Sequence, residues 1–302
     1  VSSRARPLSG PDASPEGRQL SVAVALLAAT VVLYAPILYY MMRHWSEVQD
    51  YSHGFIVAPL AVYFAYERRA ALRRASLSTS WWGVVPLLLG SLTLTIGRLG
   101  VELMNLRVSF VLTVAGLVLL LLGREIFRVL AFPIGFLLLM IPLPQSLVNV
   151  VAFPLQLQAA DWAVRILYAL GVPALREGNV IHLPDTALFV AEACSGLRSL
   201  MALITLGVVF AYFYRKSWLE RAVIVLSAIP IAIVVNALRV ALTGVLAYHY
   251  GRDAGAGVLH EFQGLITFAA AWVLLLLEAW LLARLWPARW RVRPRGARGL
   301  GS

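Results

Sequence analysis

Eight stretches of this chain run for at least 16 residues without an Asp, Glu, Lys or Arg: Leu20 to Met42, Tyr51 to Tyr66, Trp81 to Gly97, Val108 to Gly123, Val129 to Ala160, Ser199 to Tyr214, Ala222 to Leu238 and Phe262 to Leu277. A bilayer core needs about 20 apolar residues of helix, and arginines at the ends of the shorter runs can snorkel to the headgroups and extend them. The expected fold class is therefore all-α, a polytopic membrane bundle of about eight transmembrane helices. With 60% of residues apolar and only 14% charged, a soluble enzyme is excluded. The single cysteine, Cys194, has no intramolecular partner for a disulfide, which leaves its thiol available for chemistry.

A net charge of +11 would suggest a nucleic-acid partner in a soluble chain, but here the basic residues report topology, and no nucleic acid is expected. Threading the runs alternately from an inside amino terminus places 18 of the 26 basic residues on the cytoplasmic side and 8 outside. The positive-inside rule then predicts both termini in the cytoplasm and all five histidines outside. Residues 1–19 and 285–302, rich in Ser, Pro, Gly and Arg, are expected to be disordered cytoplasmic ends, with residues 20–284 as the membrane domain. The first run exceeds a signal-peptide core and reads as a retained helix.

One stretch breaks the pattern. After Val129 the apolar run continues through Pro142, Pro144 and Pro154 into a segment carrying Gln156, Gln158 and Asp161. Residues 143–198 are expected to form an external amphipathic insertion, with a helix on the outer interface and a short extended excursion around Gly178-Asn179, leading to the cysteine.

Depth arithmetic singles out three positions. Cys194 lies 21 residues before Arg215, Arg239 lies 18 after Arg221, and His260 lies 24 before Arg284. At about 1.5 Å per residue, all three approach the outer edge of a core roughly 30 Å thick. Cys194 stands in Glu192-Ala193-Cys194-Ser195-Gly196-Leu197-Arg198, at the start of a helix. The positive helix end and Arg198 one turn on both favour a thiolate, the nucleophilic form. Arg239 is the only charge in a long apolar tract, with Asn236 one turn earlier to orient it. Arginine stays charged, so it suits a developing oxyanion rather than proton transfer. His260 is the candidate base, and His53, in Tyr51-Ser52-His53-Gly54, competes with it. Each residue also has an ordinary reading: packing thiol, interfacial anchor, interfacial hydrogen-bonder. No metal-binding pair or phosphate-cradling glycine loop is present in the sequence, and no metal or cofactor is expected.

On these residues the chain resembles the exosortase/archaeosortase family of membrane transpeptidases, most closely the bacterial exosortases. Tyr51-Ser52-His53-Gly54, Ile141-Pro142-Leu143-Pro144, Glu192 to Leu200, Asn236-Ala237-Leu238-Arg239 and His260 carry the resemblance. It implies a catalytic Cys194, Arg239 and His260, with Arg198, His53, Asn236, Ser195 and Glu192 in supporting or alternative roles. It also implies a bacterial inner-membrane enzyme whose site faces the periplasm. Its substrates would be exported proteins ending in a Pro-Glu-Pro type motif, an apolar helix and a basic tail. Cleavage would pass through a thioester to an unidentified acyl acceptor, with membrane lipid as the surroundings.

Two other readings fit parts of the sequence. Ser195-Gly196 can be read as the nucleophile of a rhomboid-like serine protease, although Ala193 stands where that motif needs glycine. The intramembrane charges would also suit a transporter or export component, although such a conduit should carry polar groups through the mid-membrane.

Overall fold

The computed structural model describes residues 15–190, 196–214, 218–251 and 258–285; for residues 151, 196–199, 258–261, 283 and 285 it describes the backbone alone. These residues are overwhelmingly helical, and six segments are long and apolar enough to cross a membrane: Pro15–Leu33, Trp81–Leu99, Leu103–Met140, Gln145–Ala169, Trp218–Tyr250 and Phe262–Leu282. A shorter apolar helix spans Leu200–Phe213. The class is thus an all-α multi-pass membrane bundle, but six segments rather than eight reach that length. The chain divides into two compact units, Val1–Pro144 and Gln145–Ser302.

In the first unit, α1 (Pro15–Leu33) begins inside the stretch expected to be a disordered tail. A proline at the first helical position and Glu16 in the first turn are both suited to a helix start, so residues 15–19 belong to the helix. The first apolar run is not one helix: α1 gives way at Tyr34 to α2 (Ala35–Glu47), which carries a proline in its first turn. Helix α3 (Gly54–Glu67) follows at 14 residues, about 21 Å, short of a full span. After a short α4 (Arg69–Leu72), α5 (Val84–Leu99) packs along α6 (Leu103–Phe136).

Helix α6 is two limbs rather than one rod. Gly123 has φ 88 and ψ 178 inside it, far from helical values. The first limb runs antiparallel to α1: the Gln19 amide donates to the Leu121 carbonyl, and Ser109 bonds the Tyr34 hydroxyl at 3.1 Å. The second runs antiparallel to α3: Arg68 donates to the Val129 carbonyl at 2.8 Å, and His53 Nε2 lies 3.2 Å from the Leu139 carbonyl. Only glycine fits the junction, because a Cβ at 123 would lie 2.6 Å from the Ser78 carbonyl oxygen. The apolar runs ending at Gly123 and starting at Val129 are thereby kept as separate limbs.

The second unit holds the stretch expected to be an external insertion. Residues Gln145–Ala169 form one 25-residue helix, α7, long and apolar enough to cross a membrane, with Pro154 accommodated inside it. Two pairs of its polar side chains meet one turn apart, Gln145 with Asn149 at 2.9 Å and Asp161 with Arg165 at 2.8 Å. The extended excursion is a three-stranded antiparallel meander: β1 (Leu175–Glu177), β2 (Val180–Leu183) and β3 (Thr186–Phe189). Gly178, at φ 63, makes the first turn. Among the described residues three helices follow: α8 (Gly196–Phe213), α9 (Trp218–Tyr250) and α10 (Val258–Leu285).

Two apolar clusters organise it. Ile181, Leu183, Leu188 and Val190 of the meander region pack with Ala163 and Leu167 of α7 and with Val240, Ala241 and Ala247 of α9. Leu200 and Leu203 of α8 join Ala228, Ala232 and Val235 of α9 and Ala271, Leu275 and Ala279 of α10. The small residues matter physically: in a membrane the apolar driving force between helices is weak, and alanines let backbones come close enough for dispersion and polar contacts to hold them.

Candidate functional site

Helix α9 carries Asn236, Arg239 and Thr243 at i, i+3 and i+7, so the helical period lines them along one stripe, and all three are buried. Arg239 is 8% exposed and Thr243 2%. The facing helix α10 answers with Gln263, Gly264 and Thr267. Gly264 is where the two stripes meet, because a Cβ built on it would lie 3.4 Å from Arg239 Nη2 and 3.6 Å from Cζ. The guanidinium therefore lies against the α10 backbone.

Hydrogen bonds tie the stripes together. The Thr243 hydroxyl donates to the Arg239 carbonyl at 2.9 Å and lies 2.9 Å from the side-chain amide of Gln263. Thr267 Oγ1 donates back to the carbonyls of Gln263 at 2.7 Å and Gly264 at 3.1 Å. Beside the guanidinium is a cavity of about 10 Å³ bordered by Leu203, Asn236, Arg239, Thr267 and Phe268, with room for one water. It does not accommodate a peptide.

Of the residues singled out in the sequence, Asn236 and Arg239 come together here. Glu192, Cys194 and Ser195 lie outside the described residues, as do the side chains of Arg198 and His260. The backbone places Arg198 in the first turn of α8 and His260 in the first turn of α10, one turn before Gln263. His53 belongs to the other unit, immediately before α3, half-buried with Nε2 on the Leu139 carbonyl. Among the described residues no three His, Cys, Asp or Glu side chains converge as metal ligands would.

Sequence reasoning did not single out Thr243, Gln263, Gly264 and Thr267. Gln263 is the one amide in its apolar run and sits three residues after His260, which was a signal. Thr243 and Thr267 look like ordinary helical threonines until the two helices are packed.

Fold and site together define a multi-pass helical membrane protein with an arginine, an amide and hydroxyls buried between two packed helices. The chain belongs to the transmembrane exosortase family: the family profile (Exosortase_EpsH) matches residues 45–277, a stretch that includes Cys194, Arg239 and His260. This is a family of membrane proteases and transpeptidases that act in protein sorting. No curated protein and no solved structure matches the chain.

Proposed function

We propose that this protein is a cysteine transpeptidase that cleaves the C-terminal sorting signal of exported proteins at the outer face of the bacterial inner membrane. Both termini are then cytoplasmic, and residues 20–284 form the catalytic membrane domain. The observation that carries the reading is that the described residues flanking the Cys194 segment pack against the part of α9 that bears the buried Arg239. Four residues before it, Val190 is fully buried in the cluster that contains Val240, the residue after Arg239. Six residues after it, Leu200 shares a cluster with Val235, one turn before Arg239.

In this reading the Cys194 thiolate attacks the scissile carbonyl carbon, forming a C–S bond and an oxyanion. Arg239 stabilises that oxyanion with a charge already desolvated and in place. The tetrahedral species collapses, the C–N bond breaks, and the leaving amine takes a proton from His260. A thioester remains on Cys194. An incoming nucleophile, activated by the now neutral imidazole, attacks the thioester and releases the thiolate. The contact between the His53 ring and the Leu139 carbonyl supports a structural part for that residue.

The substrates are exported proteins carrying a Pro-Glu-Pro type motif, an apolar helix and a basic tail, whose helix would lie in the surrounding lipid while the motif enters the site. Co-expression of such a protein with wild type and with the Cys194→Ala, Arg239→Ala, His260→Ala and His53→Ala variants tests the assignment. Processing and a thioester-linked adduct are expected in wild type and His53→Ala alone. Processing that survives Cys194→Ala but not Ser195→Ala would replace the reading with a serine protease.

A further inference from the structure

Between Glu261 and Arg284, helix α10 carries a single charged residue, Glu278. It lines an open groove of about 330 Å³ whose walls include Pro230 and Val234 of α9 and Leu274 and Leu281 of α10. Among the described residues lining it, the other polar one is Ser227, whose hydroxyl donates to the Ile224 carbonyl at 2.9 Å and meets the Glu278 carboxyl. No described basic side chain pairs with Glu278, and Arg284, six residues on, lies over the Trp280 ring at 4.6 Å. A carboxyl at membrane depth is costly, and such residues mark the paths of charged or polar partners. Lipid chains bring neither a donor nor a charge. Ser227 follows Arg221 by six residues and Glu278 precedes Arg284 by six, so both lie about 9 Å in from the basic ends of their helices. The groove is also aligned with the candidate site. Gln263, Thr267, Leu274 and Glu278 succeed one another at spacings of 4, 7 and 4 along one side of α10. On α9, Arg239 lies 12 residues beyond Ser227, about 18 Å along the axis.

We propose that this groove receives the apolar helix of the sorting signal, with Glu278 pairing with the first basic residue of the tail that follows it. This rests on the substrate reading above. The complementarity is one of chemistry and of position. Apolar walls suit an apolar helix, and the carboxyl stands toward the end of the groove where such a helix turns basic. A lysine or arginine there can lay its alkyl stem along the apolar wall and bring its charge to Glu278. Arg221 and Arg284 at the same end repel a basic tail, so an acidic group is needed to hold it. A helix seated in this way runs along the pair that bears Arg239, which leads its motif end toward the arginine. The contact is made before the chemistry and persists through it, so its contribution falls on substrate binding.

The test measures binding of a fluorescent sorting-signal fusion to the full-length chain in lipid nanodiscs, with Cys194→Ala in every sample so that binding is read apart from cleavage. Glu278→Gln removes the charge, and Val234→Trp fills the groove from its exposed wall; each should weaken binding by about tenfold or more. Val273→Trp, at an exposed α10 position outside the groove, should stay within about twofold. Glu278→Lys should bind more weakly still, and replacing the first basic residue of the fusion's tail by glutamate should recover most of that loss. A charge-reversed pair that binds no better than either single reversal overturns the inference. So does an affinity that follows the headgroups of the nanodisc rather than the tail, which would make the groove a lipid site. So do Glu278→Gln and Val234→Trp variants that bind normally but no longer self-associate, which would make it a contact between copies. Cleavage that persists without Cys194, alongside binding that responds to Glu278, sinks the thiol reading and leaves the groove assignment standing.

Discussion

Gly264 offers the sharpest test of how Arg239 is held. An alanine Cβ there would stand 3.4 Å from Nη2 and 3.6 Å from Cζ, ordinary van der Waals contact, so Gly264→Ala should leave the guanidinium where it is. Valine differs. Its γ carbons reach about 1.5 Å beyond Cβ, bringing one of them to about 2–2.5 Å from the guanidinium in rotamers that point toward α9. Relief requires moving the charge by about 1 Å, and with Arg239 in its proposed oxyanion role a displacement of that size costs about 10² in rate. The assay is processing of a sorting-signal fusion, normalised to protein that elutes as a single species in detergent. Gly264→Ala should work within about threefold of wild type, and Gly264→Val about 10² below it with a KM little changed. Equal activity of the two variants would refute the claim that contact with the α10 backbone positions the guanidinium.

Two further outcomes concern the scaffold. Gly123→Ala forces a side chain into a backbone region open essentially to glycine alone and against the Ser78 carbonyl, 2.6 Å away, at a combined cost of about 2–6 kcal/mol. Gly171→Ala, at φ 77 with nothing within 4 Å, should cost only about 1 kcal/mol, and thermal unfolding in detergent compares them. Ile181, fully buried in the meander cluster, should lose about 2–5 kcal/mol on conversion to alanine and slow processing by loosening the chain that leads to Cys194. The exposed Ile266 provides the control, its alanine variant keeping both stability and activity in the same two assays.

Much of the membrane architecture was legible because it depends on local composition. A run without charges cannot be solvated as a loop inside a bilayer, so the runs at Trp81, Val108, Ala222 and Phe262 all appear within helices. The prolines after Val129 marked a real break, the exit at residues 141–144 before α7, whereas Pro154 sits within α7 and the helix continues through it. Where the reading missed, a short-range signal had two structural outcomes. The uninterrupted run from Leu20 hid the change of helix at Tyr34. The excursion at Gly178-Asn179 was visible as a turn, whereas the pairing of three strands around it was not, because register depends on which apolar side chains find Leu167 and Val240.

The same division runs through the site. Chemical type and depth are properties of one helix at a time, so Asn236, Arg239 and His260 stood out from spacing and from the cost of burying a charge in lipid. The link between Arg239, Thr243, Gln263 and Gly264 joins two helices through residues 20 or more apart in the chain, and no periodicity within either helix encodes it. It exists because small side chains let α9 and α10 approach until a guanidinium touches glycine and a hydroxyl reaches an amide. A chain with several membrane-length apolar helices and one charge set deep in such a run is therefore written in the order of residues, while the meeting of that arginine with a glycine, a threonine and a glutamine across two helices is a product of packing.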